Sequence, residues 1–145
     1  MIETQLDPRQ AMIASLDQWR HAITDHDDRR LQDQLRDIEL VSRILHSVML
    51  ATVAELHSRD IAGTAGFRGS KQLLAGMLNL SPAEAGARVA HAGQLAPRRA
   101  LGGAVLAPLL PNTATALAAG EIGSGQVRVI TAPTPGSRRT PDAVG

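Results

Sequence analysis

Met12, Leu16, Trp19 and Ile23 fall at helical spacing on one face, which predicts a first helix near the start of the chain. Asp7 stands where an N-cap belongs, and Pro8 fits the first helical position. The run from Asp25 to Asp28 interrupts the pattern and offers several caps for a second helix. That second helix is the longest signal in the chain. Leu31, Leu35, Ile38, Leu45, Val48, Thr52 and Leu56 hold one apolar stripe, widened by Val41, Met49 and Ala54. No Pro or Gly intervenes between Asp28 and Ile61. Roughly thirty residues at about 1.5 Å each give a helix about 50 Å long. A helix of that length in a small protein predicts a bundle spine or coiled-coil arm. Arg36, Asp37, Glu39 and Arg43 belong to its solvated faces.

The best-specified stretch lies between Gly69 and Leu95 and reads as two helices joined by a tight turn. Ser70 is placed to cap a short helix carrying Leu73, Leu74, Met77 and Leu78. Asn79 and Leu80 form the turn, and Asn tolerates the left-handed conformation such a turn requires. Ser81, Pro82 and Glu84 then stand at N-cap, N1 and N3, the pattern of a capping box with a leading proline. Ala85, Val89 and Ala92 carry the inner face of the following helix, which ends before Pro97.

The rest of the chain is less regular. Gly63, Gly66 and Gly69 loosen the link into the helix pair, with Phe67 as an apolar plug. A helical piece is predicted from Arg98 to Leu110, weakened by Gly102, Gly103 and Pro108. Another covers Asn112 to Ala119 and stops at Gly120, and a last one starts at Ser124 and is cut short by Pro133. Residues 131–145 lack periodicity and are rich in Pro, Thr and Arg, so a disordered tail is expected there, after a helical domain over residues 1–130. The expected fold class is all-α: a long spine helix with short helices, among them a helix-turn-helix-like pair.

Composition supports the helical reading. One Trp and one Phe are the only aromatic residues, so the core must be built from Leu, Ile, Val, Met and Ala, which suit close helix packing. Charge is unevenly spread, with a net of −4 over residues 1–60 and +5 over residues 61–145. The basic second half permits a nucleic-acid partner. The absence of Cys excludes disulfides and thiolate metal sites and suits a reducing compartment. No run approaches the length of a membrane span and no leader pattern opens the chain, so a cytoplasmic protein without membrane contact is expected.

Candidate chemistry centres on the helix pair. A helix-turn-helix needs a small residue at the crossing, which Ala75 supplies, and apolar facing sides, which Leu74, Leu78, Leu80, Ala85 and Val89 supply. Bases are read by Arg, Lys, Asn or Gln, and phosphates are held by Lys or Arg. Arg88 is the strongest donor on the second helix, with His91 on its exposed side, and Lys71, Arg98 and Arg99 are candidate phosphate contacts. These five residues are the candidate contacts to double-stranded DNA. No catalytic residue, cofactor site or metal site is predicted. Glu84 and Ser81 are accounted for by capping, and His21, His26, His46, His57 and His91 form no cluster by spacing.

The segment from Gly66 to Ala92, followed by Leu117, Gly120, Glu121, Ile122, Val127 and Ile130, resembles the actinobacterial domain-of-unknown-function family DUF222, the REP13E12-type repeat proteins. The matching motifs are Glu55-Leu56 near the end of a long helix, Gly66-Phe67 ahead of Leu73-Leu74, and Leu80-Ser81 with Glu84, Ala85, Arg88 and Val89. The resemblance covers roughly residues 25–130. It implies a domain without settled activity whose relatives often carry an HNH-type nuclease module toward the C-terminus, and no such metal-binding module is expected in this chain. The implied function is a non-catalytic helical module associated with DNA. The alternatives are a protein-interaction or oligomerisation module acting through the long helix with a second copy or a helical partner, and a truncated copy without retained function.

Overall fold

The computed structural model describes residues 7–132. It contains seven α-helices and one two-stranded ladder among those residues, in agreement with the all-α expectation. The chain divides into two compact units, Met1–Leu40 and Val41–Gly145, with the division falling inside the long helix.

In the first unit, α1 spans Pro8–Ala22 and a 3₁₀ turn follows at Ile23–Asp25. Pro8 takes the first helical position as expected, although Asp7 makes no side-chain cap bond. The long helix α2 covers Asp28–Ser58, 31 residues, close to the predicted extent. Of the Asp residues ahead of it, Asp27 does the capping: its Oδ1 accepts from the Arg30 backbone N–H at 2.8 Å. The buried anchor here is polar. Gln34 donates from Nε2 to the Trp19 carbonyl at 3.1 Å, and its Oε1 lies 3.0 Å from His26 Nε2. Of the apolar face predicted for α1, Met12, Leu16 and Ile23 stay exposed and Trp19 is half-buried.

The second unit begins in the middle of α2 and adds α3 (Ile61–Thr64), α4 (Ser70–Leu78), α5 (Pro82–Leu95), α6 (Pro111–Ala118) and α7 (Ser124–Thr131). Its core joins Leu50 and Val53 of α2 to Leu74 of α4, Ala85, Ala92 and Leu95 of α5, Leu117 of α6 and Val127 of α7. No aromatic residue takes part, as the composition requires. Arg43 ties α2 to the link between α6 and α7, donating to the carbonyls of Gly120 at 3.1 Å and Glu121 at 3.3 Å. Phe67 lies over α4: a methyl group added at Gly76 would meet the Phe67 ring at 3.0 Å. The glycine leaves room for the ring beside the helix, but Phe67 stays 36% exposed and outside the core cluster, so it covers the surface of α4 and does not plug the core as expected.

Two local readings are corrected. Ser70 does not cap α4. Gly69 holds the N-cap position, and the Ser70 hydroxyl turns inward to pair with His57 Nδ1 at 2.8 Å. The helix predicted from Arg98 to Leu110 is a hairpin instead. Arg98–Arg99 (β1) pairs antiparallel with Val105–Leu106 (β2). The turn closes through Gly103 N–H to the Ala100 carbonyl at 2.9 Å and Ala100 N–H to the Ala104 carbonyl at 2.8 Å. Gly103 has φ +86°, a conformation open to glycine and costly inside a helix, so the local backbone chose the turn. The tail expected from residue 131 lies, past Ala132, outside the described residues.

Candidate functional site

The helix pair has the predicted geometry. α4 ends on Asn79 at φ 54°, ψ 46°, and the Leu80 N–H reaches back to the Ala75 carbonyl at 3.1 Å. Ser81 Oγ then accepts from the Glu84 N–H at 3.2 Å and starts α5 behind Pro82. Half of the capping box forms. The Glu84 carboxylate turns forward along α5, where Oε1 accepts from Arg88 Nε at 3.3 Å.

That pairing changes what α5 offers. Arg88 is only 26% exposed along its side chain and is held by Glu84. The outward positions of α5 are Pro82, Ala83, Ala90 and Gly93, none with a side-chain donor. Arg98 and Arg99 stand on the hairpin that follows α5, not on α5 itself. Arg98 Nε donates to the Ala107 carbonyl at 3.1 Å. Arg99 grips Glu55 of α2 through both carboxylate oxygens, at 2.9 and 3.2 Å. Glu55 also accepts from Arg59 Nε at 2.8 Å. This hydrogen bond from Arg59, followed by the charge of Arg99, holds the Glu55 carboxyl below its ordinary range. These residues line a cleft of about 710 Å³ together with Val53, Val89 and Ala92. Lys71 is exposed on α4, with its aliphatic stem beside Gly86 and no ionic or hydrogen-bonding partner among the described residues. The five candidate contacts are therefore not brought to one surface.

A different grouping forms instead. His46 of α2, Glu84, Arg88 and His91 of α5, and Ser124 and Arg128 of α7 line a small cleft of about 110 Å³. Residues 84, 88 and 91 lie four and three apart on one helix face, a spacing visible in the sequence. Their meeting with residues 46, 124 and 128 was not visible, because it depends on how three helices pack. His46 Nε2 is buried there without a hydrogen-bond partner. Both imidazoles titrate below the ordinary value of 6.5. Burial is the main cause for each. His91 and Arg88 add to it at His46, Arg128 adds to it at His91, and Glu84 opposes both. Among the described residues no group of three His, Cys, Asp or Glu is arranged to hold a metal ion.

A pH dependence of stability follows. Between the depressed folded values and the ordinary value of 6.5, the unfolded chain binds more protons than the folded one. Stability contributed by the neutral imidazoles is therefore complete above pH 6.5 and is lost as the pH falls through the folded values. Thermal denaturation should show a flat Tm above neutrality and a decline on acidification. That decline should shrink in His46→Gln, which keeps a polar side chain but cannot charge.

The family model for DUF222, "Domain of unknown function (DUF222)", matches residues 32–143, and the chain belongs to this family. The match extends past Ile130, where the motif resemblance had ended. Among curated relatives, the chain is 49% identical over 59 residues to the uncharacterized protein Rv3466 of Mycobacterium tuberculosis. It is 48% identical over 59 residues to the uncharacterized protein Mb1614c of Mycobacterium bovis. Each alignment covers 41% of this chain and 27% of the relative, so the matched stretch spans about a quarter of those proteins' length. No solved structure matches the chain. No helix among the described residues is long and apolar enough to cross a membrane.

Proposed function

We propose that this DUF222 domain acts by association, with the outer face of α2 docking against α2 of a second copy of the chain. One observation carries the reading. The helix exposes large aliphatic residues in each unit, Leu31, Leu35 and Ile38 in the first and Val41, Ile44, Leu45 and Val48 in the second. Leu31, Ile38, Leu45 and Thr52 recur every seventh residue, and Val41 and Val48 fall three places after Ile38 and Leu45. That is the a/d repeat of a helix seam. The core-facing side of the same helix is carried by Leu50 and Val53, about 140° around from Leu45 and Val48. The seam is thus surplus to the core of the second unit. An identical helix is a fitting occupant because five of the six positions flanking the seam between Leu31 and Thr52, namely Leu35, Ser42, Ile44, Met49 and Ala51, carry no charge to repel a copy of themselves, and Asp37 is the exception. Apolar rows of this extent on a folded surface mark interaction sites. Sedimentation velocity over a concentration series should show a discrete self-association, and a compact monomer at about 100 μM would overturn the reading.

Contact with double-stranded DNA is a second reading. It is supported by the exposed, unpartnered Arg68 and Lys71 at the start of α4 and by the basic balance of residues 61–145. Binding through two phosphate contacts would be weak and indifferent to sequence. Affinity should fall about tenfold between 50 and 200 mM salt, at a slope of about −0.9 per phosphate. Fluorescence anisotropy with labelled duplex should show that fall, and Arg68→Gln with Lys71→Gln should abolish it. Binding that survives both substitutions would remove α4 from consideration.

A further inference from the structure

We propose that the cleft between α2, α5 and α7 binds a small oxyanion of the phosphate class. Its lining is unusual for a surface dimple in a domain whose core is wholly aliphatic: two guanidinium groups, two imidazoles, a hydroxyl and one carboxylate. The charges do not cancel. Glu84 is engaged by Arg88 through a single long contact at 3.3 Å. Arg128, one helical turn after Ser124 on the same face of α7, has no hydrogen-bonding or ionic partner among the described residues. An excess positive charge therefore lines the cleft.

His46 Nε2 strengthens the case. It is a buried ring nitrogen with nothing to bond to, and buried polar atoms are almost always satisfied in folded proteins. A ligand oxygen or an ordered water must complete it. A cation is a poor candidate, since Arg88 and Arg128 would repel it. An anion is favoured by the same two groups and can accept from the imidazole N–H as well. The cleft, at about 110 Å³, holds a few waters or one small anion, and is too small for a nucleobase or a peptide side chain together with its backbone. The donors belong to three helices, α2, α5 and α7, and a tetrahedral oxyanion offers acceptors in more directions than a planar carboxylate does.

The charged and titratable groups facing the two imidazoles are Arg88 and Glu84 from α5 and Arg128 from α7, with each imidazole facing the other. Burial first, and then Arg88 at His46 and Arg128 at His91, oppose protonation of the two imidazoles. A bound dianion reverses that balance, so binding should tighten as the pH falls. Sulfate is the suitable probe for this, because it stays a dianion across the range.

The test is titration of the purified full chain with inorganic phosphate and with sulfate, read by calorimetry and by Tm at constant ionic strength. Millimolar binding is expected, with Tm rising by a few degrees at 20 mM ligand. Arg88→Gln with Arg128→Gln should weaken it at least tenfold, while Lys71→Gln leaves it unchanged. Sulfate affinity should rise at least threefold from pH 7.5 to 5.5. A nucleoside 5′-monophosphate binding as well as phosphate would make a phosphate ester the source, and its exclusion would make it the free anion. No binding at 20 mM, or equal binding by the double variant, would overturn the proposal. Should the double variant fail to fold, sulfate affinity in the unsubstituted chain that does not change with pH would overturn it equally.

Discussion

Leu74→Ala is expected to lower the stability of the second unit by about 3–5 kcal/mol, the range for truncating a fully buried leucine. Leu74 is 1% exposed and sits where α4 meets Leu50 and Val53 of α2 and Ala85 of α5. Several of its neighbours are alanines, whose short side chains cannot swing in to fill the space it leaves. The core also lacks any aromatic residue to spread the loss. A domain of this size has a total stability of about 5–15 kcal/mol, so the substitution removes a large share. Circular dichroism melting should show Tm reduced by well over ~10 °C. Leu78, on the same helix but 46% exposed, provides the control, and Leu78→Ala should cost less than about 1 kcal/mol. Equal losses at the two positions would mean that α4 does not pack as described.

The contrast between Leu74 and Leu78 also shows how much the sequence discloses. The sequence reading put both on the side of α4 that faces its partner helix, whereas the structure buries Leu74 and leaves Leu78 46% exposed. Elements governed by local chemistry were legible: the uninterrupted α2, the left-handed Asn79, the Ser81–Pro82 start of α5 and the stop of α6 before Gly120. The Arg98–Leu110 segment was not, because its alanines and leucines favour helix while the decisive event is a positive φ at Gly103. Ser70 misled for another reason. Its sequence position suits an N-cap, but His57, thirteen residues earlier, competes for the hydroxyl. The candidate site divides the same way. Arg88 was identifiable as the strong donor and Lys71, Arg98 and Arg99 as candidate phosphate contacts, and the Glu84–Arg88 pair is an i, i+4 contact that spacing allows. The partner of Arg99 lies 44 residues away in sequence, and the convergence of His46, His91 and Arg128 depends on three separate helices. Donor identity is written in the sequence; whether a donor is already engaged is settled only by packing.

Leu45→Glu combined with Val48→Glu is expected to dissolve the self-association proposed for α2 without unfolding the chain. The two side chains are 55% and 58% exposed, so about half of each remains to be covered by a partner. Full burial of such a side chain contributes about 1.5–3 kcal/mol, and half of that is about 0.8–1.5. A symmetric dimer contains both residues twice, so the loss is about 3–6 kcal/mol before any cost of burying carboxylates. Each 1.4 kcal/mol is tenfold, which raises Kd by roughly 10²–10⁴. In sedimentation the double variant should therefore run as a monomer where the unsubstituted chain associates. Its far-ultraviolet spectrum should be unchanged, because both residues lie on the face of α2 turned away from Leu50 and Val53. Association also makes Tm rise with protein concentration, and the double variant should lose that dependence. The paired result separates seam from core. Loss of fold would show that Leu45 and Val48 support the domain itself, whereas unchanged association would move the docking face elsewhere.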